Sequence, residues 1–515
     1  MKRLTLIAAC ESLFGLLVVA ACLASFRHVS RFVGLPYQLN YAEGVVLTGV
    51  ERVVDGQSLY PPPQQFPVII TPYGPVYYYL CAWLLKWFGP AFAPLRLITI
   101  VSAVVIAGLL ALLLHQLTAS WRLGLGFAFL FLSLPVVRDW LPLARVDVPG
   151  IALSLAGLYL YARFRDQWYV SIPFFLAAFF CKYTMLAAPG TCFLDLLFRK
   201  QKKRAAWFAG SLVLLSALVF LGLERTTQGG YIFHTITSHA DPFTPGRALM
   251  FIRHALREHI VLVILAFGLV PFHLGLASLS IWAPLWASAT RRLANPRLRD
   301  QVGPAPRLGD LRKEGAALSS LYLAFSALSL ITAGKQGSDS NYLLEWLAVL
   351  CLSGGLSYST LRQQSEKAAA AFAVAGVLTL CYWAVFRPPS PYPRYAGCPE
   401  AYAFVKRHPG QRIISEDVGA VVMAGKPVQI SDPFAWSWLV RREGWSEAEL
   451  ENLVRARAFE VIILNASISW QKESREISRW PLPFLDALQQ NYRPTWGFGC
   501  QDAGIAYEPF EAAPH

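Results

Sequence analysis

The sequence predicts a polytopic α-helical membrane protein of about eleven transmembrane helices, followed by a small C-terminal α/β domain. Three observations carry that reading. Of 515 residues, 55% are hydrophobic and only 15% charged, with a mean hydropathy of +0.41, beyond an ordinary soluble chain. Apolar runs long enough to cross a bilayer recur along most of the chain, separated by short basic clusters. After Arg387 the composition changes, and "RPPSPYPRYAGCPE" leads into mixed, polar sequence. The formal net charge of +14 admits a nucleic-acid partner in principle. Much of it sits between apolar runs, where the positive-inside rule places cytoplasmic loops, so no nucleic acid is expected.

Spans are expected near 4–24, 95–116, 121–137, 148–164, 168–181, 183–198, 206–223, 260–288, 316–333, 342–360 and 368–386. The first run is long for a signal peptide and has no A-x-A-like site after it, so it reads as a retained span. The Tyr-rich stretch 75–89, "PVYYYLCAWLLKWFG", is too short for a secure span and is expected to lie as a helix at the interface. With an inside N-terminus, "RFR" (163–165), "RKQKKR" (199–204), the linker Arg291 to Lys313 and "RQQSEK" (362–367) all fall in the cytoplasm. The same parity puts outside the loop 27–94, the segment 138–147, "CKYT" (181–184), the loop 225–259, "GKQGSDSN" (334–341) and the tail from Arg387. Isolated charges beside apolar runs thereby collect on one face, which points to a shared polar site.

Two domains are expected: residues 1–386, transmembrane and carrying the first outer loop, and 387–515. In the tail, "QRIISED", "KPVQISD" and "FEVIILN" read as short strands, and "SEAELENLVRARA" (446–458) opens like a capped helix. Nine cysteines include no CxxC pair. Cys398 and Cys500 lie in the polar tail, where either a disulfide or two thiols fits.

Glu43 is a carboxylate beside the membrane on the expected outer face, where nucleotide donors are absent. Sugar transfer there needs a donor already in the membrane, such as a polyprenyl-phosphate sugar, a carboxylate base for the acceptor hydroxyl, and cations for the departing phosphate. Glu43 supplies the first, and Arg145, Lys182 and Lys335 are candidates for the second.

The stretches "NYAEG", "DGQSLYPP", "TPYGPVYYY" and "APLRLITI" resemble the first loop of GT-C glycosyltransferases related to protein O-mannosyltransferases and the lipid A aminoarabinose transferase. The resemblance continues in "LARVDVPGIALSLAGLYLYAR", "FFCKYTMLAAPG", "GKQGSDSNYLLEWLAVL" and "IISEDVGAVVMAGKPVQISDPF". It implies an inverting transferase of the bacterial inner membrane, moving a sugar to a periplasmic glycolipid, polysaccharide or protein. By position it implies Glu43 as the base, Asp147 as an acidic residue beside the donor, Arg145 and Lys182 at lipid phosphate, and Lys335 and Asn341 in a donor-site loop. Many relatives carry an Asp-Glu pair where this chain has Ala42 before Glu43, which leaves a single carboxylate.

Each residue also has a structural alternative. Glu43 fits a helix cap, Asp147 an ion pair with Arg145, and Lys182 a snorkelling anchor. No metal site is expected; His234, His239 and Asp241 in "FHTITSHADPF" are weak candidates for a divalent metal. The aromatic series 73–79 and "FAWSWLVRREGW" (434–445) read as interface belts or as sugar platforms. The competing functional classes are a transporter or flippase of a lipid-linked glycan, with midplane charges and repeats, and a non-catalytic scaffold.

Overall fold

The computed structural model describes residues 2–63, 66–268, 306–388, 395–443, 445–473, 479–500 and 502–510. The far half of the span expected at 260–288 and most of the Arg291–Lys313 linker lie outside the described residues.

Within the described residues each expected span falls on a helix, or at 121–137 on two in succession. In order come α1 (Lys2–Val33), the loop helices α2 (Tyr41–Val54) and α3 (Pro75–Phe88), α4 (Phe92–Thr118), α5 (Trp121–Ser133), α6 (Pro135–Trp140), α7 (Asp147–Arg163), α8 (Ile172–Cys181), α9 (Ala187–Phe198) and α10 (Lys202–Thr226). Helices Ile260–Gly268, Pro306–Ser329, Leu344–Gln364 and Glu366–Phe386 follow. Among the described residues, six helices are long and apolar enough to cross a membrane, and α5 and α9 are apolar but shorter.

Local chemistry sets the boundaries. Ser120 and Ser365 cap their helices by accepting from Leu123 and Ala368 amides, and Pro75 and Pro135 open α3 and α6, where a missing N–H costs nothing. The span expected from 168 begins at Ile172, because residues 165–171 form a 3₁₀ turn with Gln167 outside helical backbone. The stretch 75–89, expected as an interfacial helix, is the helix α3. Tyr77, Tyr78, Cys81 and Leu85 are buried, while Trp83, Trp87 and Phe88 form an exposed apolar face.

The tail folds as a four-stranded sheet of order β1-β2-β4-β3, flanked by short helices. β1 (Ile413–Ser415) runs parallel to β2 (Val461–Leu464), and the hairpin β3 (Tyr492–Cys500) and β4 (Asp502–Pro509) completes it. Two of the three expected strands are these. "KPVQISD" is instead a connection that makes a single parallel bridge, Ile430 to Val68 of loop one. Cys398 and Cys500 are disulfide-bonded. The tail shares its cores with loop one: Val68 and Ile70 pack with Trp436 and Trp480, and Val46 and Leu47 with Val418 and Val422. Gly44 marks the seam, since a Cβ there would lie 2.6 Å from the Gly419 amide nitrogen.

Candidate active site

Loop one turns into α2 at Asn40, whose side chain accepts from the Ala42 amide as an N-cap. One turn on, Glu43 is 0% exposed and its carboxylate is filled. Arg96 of α4 donates Nε to Oε1 at 3.0 Å and Nη2 to Oε2 at 2.9 Å. The Ala144 amide adds a bond to Oε1 at 2.6 Å and the Leu39 amide one to Oε2 at 2.5 Å. Arg96 spends its remaining donors on the carbonyls of Phe32, Leu35 and Tyr37. Four donors, two of them from the one guanidinium, occupy the carboxylate and leave no lone pair turned to an incoming hydroxyl, an arrangement that suits a buried structural acid rather than the expected base. Glu43 instead ties α2, α4 and the residue before Arg145 together.

The second carboxylate stands differently. Asp147 starts α7 and is also 0% exposed. Its Oδ1 accepts from Lys182 Nζ and, at 2.7 Å, from Asn341 Nδ2. Its Oδ2 lies 3.5 Å from Arg145 Nε, too far for a hydrogen bond. Asp147 Oδ2, Arg145 Nε and Asn341 Oδ1 are all buried without a hydrogen-bond partner. Arg145 is held from its other sides by Asn40 Oδ1, at 3.1 Å from Nη1, and by the rings of Trp140 and Tyr73, 5.3 and 5.7 Å from its guanidinium carbon. Lys182 Nζ sits 4.5 Å over the Tyr342 ring. Its corner is packed tightly, for a Cβ on Gly74 would meet the Phe180 carbonyl oxygen at 2.0 Å, so "TPYG" closes directly on the end of α8.

The structure thus brings Arg145, Asp147, Lys182 and Asn341 into one cluster, with Glu43 buttressing it through Ala144. Lys335 is not joined to it; its ammonium pairs with Asp241 at 3.1 Å.

The residues do not fit the metal site considered from sequence. His234 accepts the Thr71 amide on Nδ1 and meets the Pro61 carbonyl at 2.8 Å through Nε2, so both ring nitrogens are taken. His239 Nδ1 bonds Ser238 Oγ, and Asp241 faces Lys335. Burial pushes His234 down to about 4 and His239 down to about 3, and the neighbouring Lys335 lowers His239 further. Among the described residues, no three His, Cys, Asp or Glu side chains gather as metal ligands.

Arg96, Asn40 and Tyr342 are not singled out by the sequence, and Tyr73 only as part of the aromatic series 73–79. Arg96 carried a signal, as a lone cation one turn inside the apolar run that opens α4. The tail aromatics divide: Trp436 is core, while Phe434 and Trp438 are half-buried on one face of their helix.

The class defined by this arrangement is a polytopic helical membrane protein of GT-C-like fold, with a polar cluster at the loop-rich end of the bundle and a small sheet domain seated over it. The chain is similar to the crystal structure of ArnT from Cupriavidus metallidurans bound to undecaprenyl phosphate, with TM-score 0.56 and 12% identity, covering 97% of this chain and 99% of that one. The apo state of the same protein gives TM-score 0.56 and 12% identity over 95% and 97%. An oligosaccharyltransferase from Archaeoglobus fulgidus aligns at TM-score 0.47 and 11% identity, over 96% of this chain and 74% of that chain. No protein-family model and no curated protein matches the chain.

Proposed function

We propose that the protein is a membrane glycosyltransferase that moves a sugar from a polyprenyl-phosphate donor to an acceptor hydroxyl, with inversion. The observation that carries this reading is the Asp147 cluster: two cations around one buried carboxylate, whose Oδ2 faces Arg145 Nε at 3.5 Å in an ion pair without a hydrogen bond, beside an Asn341 Oδ1 that has no hydrogen-bond partner. A buried polar atom without a hydrogen bond costs about 1–3 kcal/mol, offset in part for two of these three by their mutual ion pair, so the site is best understood as awaiting a polar ligand. Their chemistry matches the substrate. Arg145 and Lys182 suit the phosphate, Asn341 Oδ1 accepts a sugar hydroxyl, and Asp147 Oδ2 accepts the proton of the attacking hydroxyl. The acceptor oxygen bonds to the anomeric carbon as the anomeric C–O bond breaks, and the electron pair leaves on the lipid phosphate beside the two cations.

In this reading Asp147 replaces Glu43 as the base, and Glu43 is a positioning residue that sets Arg145 through Ala144. No step runs through a metal. The ArnT similarity supports the fold, and the lipid bound to that protein motivates the donor class for this one. The Cys398–Cys500 bond supports a tail in the periplasm, and with it a multi-pass protein of the bacterial inner membrane whose site faces outward. The transporter reading has less support, because these charges gather at one end of the bundle.

The test is reconstitution of the purified protein with panels of polyprenyl-phosphate sugars and with glycolipid, polysaccharide and peptide acceptors. The expected result is transfer to one acceptor class. Lipid-sugar translocation without transfer would overturn the reading.

A further inference from the structure

One buried acid is not used by that chemistry. Glu345 lies in the helical run Ser340–Gln364, of whose most apolar stretch 83% is buried, and it is 4% exposed itself. Its carboxylate accepts the Tyr322 hydroxyl at 2.9 Å, from the neighbouring helix Pro306–Ser329. It stands about one turn along the helix from Asn341, whose amide donates to the same Asp147 oxygen as Lys182 does. An acid inside a transmembrane bundle is costly and marks a functional position by default.

We propose that Glu345 takes up one proton when the lipid phosphate binds, acting through Lys182 as a positioning residue for the donor. The inference rests on the transferase reading above. Its basis is charge balance in a low-dielectric site, where a net charge is expensive. Before donor binding, Arg145 and Lys182 balance Asp147 and an ionised Glu345. A phosphodiester donor brings one negative charge, which a proton from solvent on Glu345 offsets. After transfer the phosphate carries two charges and Asp147 holds the proton of the acceptor hydroxyl, so the sum is again zero with Glu345 still protonated. Among the described residues, Tyr322 bonds Glu345, and the charged groups nearest along the network are Lys182, Asp147 and Arg145, joined to this helix through Asn341. Asp339, which acts on Arg145, is exposed and solvent-screened.

The experiment is calorimetric titration of the full-length protein with the methyl diester of undecaprenyl phosphate, a monoanion across pH 5–9, in two buffers of different ionisation enthalpy. Wild type is expected to take up about one proton on binding, with affinity falling about tenfold per pH unit above a midpoint. Glu345→Gln should bind with no uptake and a flat profile. Tyr322→Phe removes a donor to the carboxylate and should move the midpoint to higher pH, which keeps the test open if Glu345→Gln does not fold. Binding by Glu345→Gln with the wild-type uptake, or an unmoved midpoint in Tyr322→Phe, would overturn this inference alone. Absence of binding by wild type would overturn the transferase reading together with it.

Discussion

Glu43 and Asp147 are both fully buried acids at the same end of the bundle, yet their partners give them different work. Glu43 is matched by Arg96 and two amides, so changing it acts on folding first. Glu43→Gln strands a buried guanidinium, and a loss of about 3–5 kcal/mol is expected, read as a lower unfolding temperature in detergent. Adding Arg96→Gln should recover part of that loss, because the uncompensated charge is gone, and a double-mutant cycle measures the coupling. Sequence alone singled out Glu43, Arg145, Asp147, Lys182 and Asn341, and with them Lys335, which pairs with Asp241 instead. It put Glu43 first as the base, because Arg96, the partner that fills that carboxylate, lies 53 residues away in an apolar run where an arginine reads as a snorkelling anchor.

At the scale of elements, the seam between loop one and the tail governs how the site is covered. Asp417 caps the short helix Val418–Met423 and accepts the Tyr402 hydroxyl at 3.0 Å, while Tyr402 in turn accepts the Gln38 amide of loop one. Burial pushes its carboxyl up to about 7. A raised acid means that the folded state holds the proton more tightly than the unfolded chain, so stability is greatest below the unfolded value. It declines as pH rises from about 4 toward about 7. Asp417→Asn keeps an acceptor and should flatten that decline, measured as unfolding temperature against pH. Gly44→Ala should cost about 1–3 kcal/mol, since its Cβ would run into Gly419 backbone that cannot swing away. Span positions were legible because apolar length is a strong signal. The hairpin β3–β4 was not, because Pro494 and the glycines of "GFGC" weaken strand pattern that the pairing with β2 restores.

For the whole molecule, the prediction that scattered outer loops share a face came from charge parity alone. The structure joins those loops through Glu43 to Ala144, Asn40 to Arg145, Asp147 to Lys182 and Asn341, Lys335 to Asp241, and Tyr41 to Asp432 of the tail at 2.8 Å. At the opposite end, Arg204 meets Asp166 at 3.0 Å, joining two segments expected in the cytoplasm. Single cysteines placed at the exposed positions Ala396 and Lys203 should react with a membrane-impermeant reagent from outside and from inside, respectively; reversed labelling would invert the assigned orientation. The central claim is that Asp147, not Glu43, takes the acceptor proton. Its most direct test is the single-turnover transfer rate per folded molecule for Asp147→Asn and Glu43→Gln beside wild type. Asp147→Asn is expected to fall by about 10²–10⁴-fold, the usual share of a general base, and Glu43→Gln to stay within about tenfold of wild type. A severe loss in Glu43→Gln with near-normal transfer by Asp147→Asn would contradict it.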